Sequence, residues 1–227
     1  MNIVILTGAG ISAESGLGTF RDKGGLWETA DWRDLATPEG FSRDPGLVHD
    51  FYNMRRARVR AARPNAAHAA LARLQADGRH AVTLVTQNVD DLHERAGAAG
   101  VIHMHGTHLV ALCAACAHRW PAPDQMAPAD TCPECRGTAR PDVVWFGEQP
   151  YHMDMIVSAL AGCDLFVAIG TSGVVYPAAG FVEIATRTGA DTLELNLEPG
   201  ERASDFAAGR FGPATQVVPA WVDEMLA

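Results

Sequence analysis

Residues 3–21, IVILTGAGISAESGLGTFR, constrain this chain more than any other stretch. Ile3, Val4, Ile5 and Leu6 form the continuous apolar run of a strand buried on both faces. Gly8 and Gly10 follow at once, and glycine permits positive φ angles and close backbone approaches that a side chain blocks. Ala13 completes a G-x-G-x-x-A spacing. It predicts a strand, a glycine turn and a helix start whose backbone N–H groups face a pyrophosphate. Taken alone, the spacing fits a plain strand-to-helix turn equally well.

The acid that normally ends the second strand of a dinucleotide fold, roughly 20 residues further on, is missing. Glu28 and Asp31 lie in GGLWETADW, which has no strand pattern, and the next clear strand comes only at 81–86. An insertion therefore separates the first two units of the nucleotide fold. Before it, after the glycine loop, the polar segment Asp22, Lys23, Gly24 and Gly25 is suited to closing over a ligand.

The 227 residues allow one large domain, or a domain carrying a small module. Apolar residues make up 48% and charged residues 20%, the balance of a globular chain rather than a disordered one. No apolar run approaches the ~20 residues of a membrane span, and the N-terminus carries no leader pattern, so the reading is cytoplasmic. A net charge of −9 argues against direct nucleic-acid binding. The local cluster of Arg55, Arg56, Arg58, Arg60 and Arg63 reads by itself as a solvated helix face.

Asp44-Pro45 signals a helix start, with Val48, Phe51, Tyr52, Val59 and Ala62 as its apolar positions. Tyr52 and Arg55, three apart, share a face. Pro64-Asn65 opens a second helix that Gly78 ends. After the strand at 81–86 come Gln87, Asn88, Val89 and Asp90, just past a strand's C-terminal end, where open α/β sheets bind ligands. His103 and His105, two apart near a strand tip, share a face if the strand is regular. Further strands are expected at 141–146, 164–169 and 192–195, and helices at 153–160, 178–187 and 221–226. Strand-then-helix alternation predicts a doubly wound parallel α/β sheet, Rossmann-like in class.

Four of the five cysteines form two pairs, Cys113-x2-Cys116 and Cys132-x2-Cys135. Thiolate pairs at this spacing complete a tetrahedral zinc site, and four protein ligands leave no position open for catalysis. The Pro- and Ala-rich segment between them has too little core to order itself without such a staple. Cys163 reads as a buried thiol.

GAGISAESG with TFR, then TQNVDDLHERAG, HMHG, the cysteine pairs, VVWFGE, GTS and NLEP occur in the order found in the sirtuins. The chain resembles that family of NAD-dependent protein lysine deacylases over essentially its whole length. Within the family it looks like the bacterial and mitochondrial branch that removes acidic acyl groups. That branch has a Y-x-x-R spacing, here Tyr52 and Arg55, and a small pocket residue, placed at Ala36. The resemblance implies that Gly8, Ala9, Gly10, Ser12, Phe20, Arg21 and Trp27 hold the pyrophosphate and nicotinamide end of NAD. Gln87, Asn88, Val89 and Asp90 would line the ribose and nicotinamide pocket, with Asn88 and Asp90 assisting catalysis. Gly170, Thr171, Ser172, Asn196, Leu197, Glu198 and Ala214 would hold the adenosine half. His105 would be the general base, and Val144, Phe146 and Gly147 would pair with the substrate peptide as an added strand. Gly18-Thr19 departs from the Pro-Asp that many relatives carry before the Phe-Arg pair, which loosens the cofactor loop. The implied division is an NAD-binding domain (1–30, 80–108, 142–227), a helical insert (31–79) and a zinc module (109–141). A monomer acting on acylated lysine in protein substrates is expected.

In that family's reaction the acyl-amide oxygen attacks the anomeric carbon, nicotinamide leaves, and an alkylamidate forms. A ribose hydroxyl must then lose a proton. An imidazole suits this, since its reference pKa of ~6.5 lies near operating pH. A succinyl or malonyl carboxylate entering an apolar tunnel is costly unless paired. The planar fork of Arg55 and the hydroxyl of Tyr52 answer that need. Three other readings predict different products: ADP-ribosyl transfer on the same fold, a non-catalytic zinc-containing binding module, and an ordinary dehydrogenase.

Overall fold

The structure, a computed structural model, describes residues 1–19 and 31–227. Phe20, Arg21 and Trp27, all expected at the cofactor, lie outside the described residues. In chain order the elements begin β1 (Asn2–Thr7), α1 (Gly10–Ala13), α2 (Trp32–Leu35), α3 (Pro38–Arg43), α4 (Pro45–Ala61), α5 (Ala66–Asp77) and β2 (Ala81–Thr86). Next come α6 (Leu92–Arg95), β3 (Ile102–His103), β4 (Gly106–Cys113), β5 (Arg119–Pro121) and β6 (Ala139–Val143). The chain closes with α7 (Met153–Ala161), β7 (Leu165–Ile169), α8 (Phe181–Arg187), β8 (Asp191–Asn196), β9 (Ala208–Phe211) and α9 (Ala214–Leu226).

Six strands form one sheet in the order β3-β2-β1-β7-β8-β9, and every pairing in it is parallel. Alternation along β1 explains the layering. Ile3 and Ile5 enter one apolar core with residues of α5 and α9, while Val4 and Leu6 enter another with residues of α7 and α8. With both faces covered, the central strands must be apolar throughout, as the run in β1 announced. The chain order reverses between β1 and β7, so the switch point of the sheet, where open α/β sheets bind ligands, lies there.

Local signals place the helices. The Asp44 side chain accepts the Leu47 N–H at 2.9 Å ahead of Pro45, starting α4. Asn65 and His68 form a reciprocal capping box for α5, and Gly78 ends it with φ 79°. One expectation needs correcting. α5 does not sit in the insert: Ala67, Ala70, Leu71 and Leu74 share a core with Ile3, Ile5, Val218 and Trp221. It is a layer of the main sheet, and the insert comprises α2 to α4. Periodicity shows that a helix buries one face, not which surface covers it. Two further features differ from expectation. α9 starts at Ala214 rather than 221, its first turns hidden from a sequence reading by Pro219, a usual helix breaker that lies inside it; and the exposed edge strand β9, which has no apolar pattern, is not among the expected strands.

β4, β5 and β6 make a second, antiparallel sheet in the order β5-β4-β6. Its core is small: Ala111, Ala122, Met126 and Ala139, with Trp120 against them. Among the described residues no helix is long and apolar enough to cross a membrane.

Candidate active site

At the switch point β1 runs into the glycine loop and β7 into Gly170. The Gly8 N–H bonds Ile169 O at 2.9 Å and the Gly10 N–H bonds Gly170 O at 2.8 Å. A Cβ on Gly8 would stand 2.7 Å from Gly170 O, and one on Gly10 would stand 2.7 Å from Gly170 Cα. The glycines are thus required where two backbones touch, and these two N–H groups serve that contact rather than facing a pyrophosphate. Beside them opens a cavity of about 260 Å³. Gly8, Ala9, Gly10, Gln87, Asn88, Val89, Gly170, Thr171 and Ser172 line one part of it; Ala36, Tyr52, Arg55, Val144, Phe146 and Gly147 line another, and His105 also lies on the wall. The two groups of residues named from sequence, far apart along the chain, therefore share one space.

His105 sits in the turn between β3 and β4 rather than in a regular strand. Its Nδ1 lies 3.1 Å from Gln87 O. A carbonyl only accepts, so Nδ1 carries the proton and Nε2 keeps the lone pair. Burial lowers its pKa, and the bond to Gln87 opposes this, so the ring is neutral and basic at physiological pH. His103 has a structural part instead, bridging Asn88 O at 3.2 Å and Glu94 Oε1 at 2.7 Å.

The other wall is aromatic. Ala36, Val48, Tyr52, Val89, Val143 and Trp145 pack as one cluster with Phe41, Phe51 and Phe146. Trp145 Nε1 donates to the Tyr52 hydroxyl at 2.9 Å, which leaves the phenol its own proton to donate. Burial pushes the Tyr52 pKa up to about 12, so it stays protonated. Arg140 braces this wall: its guanidinium lies 3.4 Å from the Trp145 ring centroid and bonds both Glu148 oxygens, at 2.6 and 3.0 Å. The segment expected to receive a peptide strand has several donors already committed. Val144 N–H bonds His105 O, Phe146 N–H bonds Ala36 O, and Trp145 N–H bonds Glu148 Oε2.

Ser12 and Asp90 do not reach the cavity wall. They lie behind it in a buried polar network. The Ser12 hydroxyl donates to Asp90 Oδ2 at 3.1 Å, and Asn88 Nδ2 donates to Ser12 Oγ at 3.2 Å and to Gly8 O at 3.1 Å. Asp90 also accepts the Leu92 N–H. Through Ser12 it is linked to Asn88, which in turn bonds the glycine loop at Gly8 O. The network continues through His68, whose Nε2 lies 3.4 Å from Ser12 Oγ, and His93, whose ring centroid lies 4.9 Å from that of His68.

Burial lowers the His68 pKa from 6.5 to about 4 and that of His93 from 6.5 to about 3. The fold needs both rings neutral, so their contribution is complete above the unfolded value of ~6.5 and fades as pH falls towards the folded values. For His68 the shift corresponds to about 3 kcal/mol. Burial moves the Asp90 carboxyl the opposite way, upward, and offsets part of the trend. The urea midpoint should drop clearly between about pH 7 and about pH 4.5; an unchanged midpoint would contradict the buried neutral pair.

Asn196, Leu197, Glu198 and Ala214 also lie off the cavity wall. Asn196 Nδ2 bonds Thr171 O at 3.0 Å, so it supports the β7 loop, while Leu197 is 66% exposed. Sequence reasoning missed Phe51 and His108, both on the cavity wall. Helical spacing from Tyr52 and Arg55 could have found Phe51, whereas no local pattern marks His108.

The four paired cysteines converge. All four sulfurs lie within 4.8 Å of one another, with Cys113–Cys135 at 3.4 Å and Cys116–Cys132 at 3.8 Å. Zn–S bonds of ~2.3 Å in a tetrahedron require edges of about 3.8 Å, so the set fits zinc. The N–H groups of Cys116 and Ala115 point at Cys113 Sγ and hold its pKa down at about 6, the Cys116 amide contributing most. Amides of this kind favour the thiolate that a metal needs.

A doubly wound sheet, a half-buried imidazole on the wall of the cavity beside its switch point, and four cysteines placed for a zinc ion define a Rossmann-like α/β protein. The Sir2 family profile matches residues 8–177. A relative from Caulobacter vibrioides named NAD-dependent protein deacylase is 56% identical, covering 100% of this chain and 98% of its own. A solved Sir2 homologue in complex with NAD superposes with a TM-score of 0.91 at 38% identity, covering 99% of this chain and 89% of that one. A complex of Sir2 with a p53 peptide and NAD superposes with a TM-score of 0.83 at 27% identity, covering 98% and 92%. The chain belongs to the Sir2 family.

Proposed function

We propose that this chain is an NAD-consuming protein lysine deacylase whose acyl pocket takes succinyl and malonyl groups as well as acetyl. The observation that carries the reading is His105: its Nδ1 proton is committed to Gln87 O, and its ring lies on the wall of a cavity shared by the glycine loop and the Tyr52–Arg55 pair. NAD, as co-substrate, would supply the anomeric carbon that accepts the acyl oxygen as nicotinamide departs; with one water consumed to release the amine, the products are nicotinamide, free lysine and O-acyl-ADP-ribose. His105 Nε2 takes the proton of a ribose hydroxyl. Asn88, held by Asp90 through Ser12, orients the ribose end. The edge formed by residues 144–147 receives the peptide backbone.

The acidic-acyl part rests on Tyr52 and Arg55, which share a helix face on the cavity wall. Losing a hydrogen bond to a charged group costs ~1.5–3 kcal/mol. Arg55→Met should therefore lower succinyl-lysine kcat/KM by about ten-fold or more, with a smaller loss on acetyl-lysine. Rates on one peptide carrying acetyl-, malonyl- or succinyl-lysine, with and without NAD, test this. Equal losses on all three substrates would remove Arg55 from the acyl pocket.

A further inference from the structure

His108 lies two residues into β4, and only 1% of its surface is exposed. We propose that His108 is a positioning residue that sets acyl specificity by accepting the Arg55 Nε–H and aiming the guanidinium at the substrate's carboxylate. This rests on the acidic-acyl reading above and deepens it.

Arg55 Nε lies 3.2 Å from His108 Nε2. A guanidinium donates and never accepts, so Nε2 must be the unprotonated nitrogen and Nδ1 must carry the proton. The imidazole stays in that state, because burial and the charges of Arg55 and Arg56 hold its pKa well below the ordinary value. A protonated ring would have no lone pair for Arg55 and would repel it.

The imidazole is itself held still. The His108 N–H bonds Val89 O at 2.9 Å, and Arg56 Nε donates to His108 O at 2.8 Å. The Tyr52 ring packs edge-on against it, with centroids 5.5 Å apart. Arg56 is anchored in turn to Asn53 Oδ1 at 2.8 Å. Thus both members of the Tyr52–Arg55 pair touch one rigid ring. With Nε–H fixed on that ring, the guanidinium plane is set, and its terminal amino groups are the donors an acyl carboxylate meets.

Stability alone does not account for a histidine here. Its Nδ1 is buried with no partner among the described residues, a cost an apolar side chain would avoid. A buried polar group retained at such a cost points to the job done by its other nitrogen.

The test uses the full chain and two variants. His108→Leu should lower the succinyl-to-acetyl ratio of kcat/KM about ten-fold, mainly through a higher KM for the succinyl peptide. His108→Gln, which keeps an acceptor near Nε2, should restore most of that ratio. The melting temperatures of both variants establish folding. A folded His108→Leu that loses acetyl and succinyl turnover equally, or loses neither, overturns the proposal. If His108→Leu does not fold, the Gln variant decides: a ratio no better than that of Arg55→Met also overturns it. A wild-type chain that turns over acetyl-lysine but no acidic acyl group defeats the underlying reading and this proposal together. A wild-type chain active on succinyl-lysine with an indifferent position 108 defeats the proposal only.

Discussion

His105→Ala is expected to lower deacylation by about 10²–10⁴-fold, the range typical of a positioned general base. Alanine removes the only basic nitrogen that the Gln87 bond leaves on that ring, and it leaves the glycine loop untouched. NAD should still protect the variant against thermal unfolding, because the Gly8–Gly10–Gly170 contact does not involve the imidazole. Mass spectrometry should find acyl-lysine intact and little acyl-ADP-ribose. The pH dependence carries a sign. Because burial lowers the His105 pKa, the acid limb of kcat/KM should lie below the ordinary histidine value of ~6.5. Wild-type rates from the alanine variant, or an acid limb that persists unchanged when His105 is replaced, would end its assignment as the base.

Removing zinc is expected to have the next largest effect. Structural zinc contributes about 10–16 kcal/mol of apparent binding energy in small modules, and that energy is folding energy. The core here is slight, with three alanines and Met126 as its buried apolar members. Cys113→Ser, or stripping the metal with a strong chelator, should open residues 113–138 to proteolysis and broaden the signal of Trp120. Activity should fall as well, for a reason visible in the connections. β4 begins next to His105, β6 ends next to Val144, and the Val144 N–H bonds His105 O at 2.9 Å. Slackening the β4–β6 pair therefore loosens both the base and the peptide edge. A stripped protein with unchanged protease resistance and unchanged rate would show that the four sulfurs are not a structural staple.

Elements with a strong local code were legible. The run in β1, the Asp44-Pro45 and Asn65 starts, the Gly78 stop and the two cysteine pairs each carry their cause within a few residues. Where the cause lay elsewhere in the fold, reading failed. α5 has an apolar face that suits an insert as well as a sheet layer, and only α9 and β1 decide between them. Pro219 hid the first turns of α9, because a proline's local cost says nothing of the packing of Val218, Trp221 and Val222 that outweighs it. Which partners Ser12 and Asp90 would take was not legible either: the fold bonds them to each other.

By itself the sequence determined the kinds of groups present: a glycine turn after a buried strand, an imidazole near a strand tip, an arginine one helical turn from a tyrosine, and four thiols at metal spacing. Those follow from covalent spacing and local backbone preference, which act over a few residues. Only the tertiary structure decided which of them meet. Gly10 against Gly170, Val144 against His105 and Arg55 against His108 are contacts between segments far apart along the chain. Such contacts form when burial of apolar layers fixes the chain, and no local propensity specifies them.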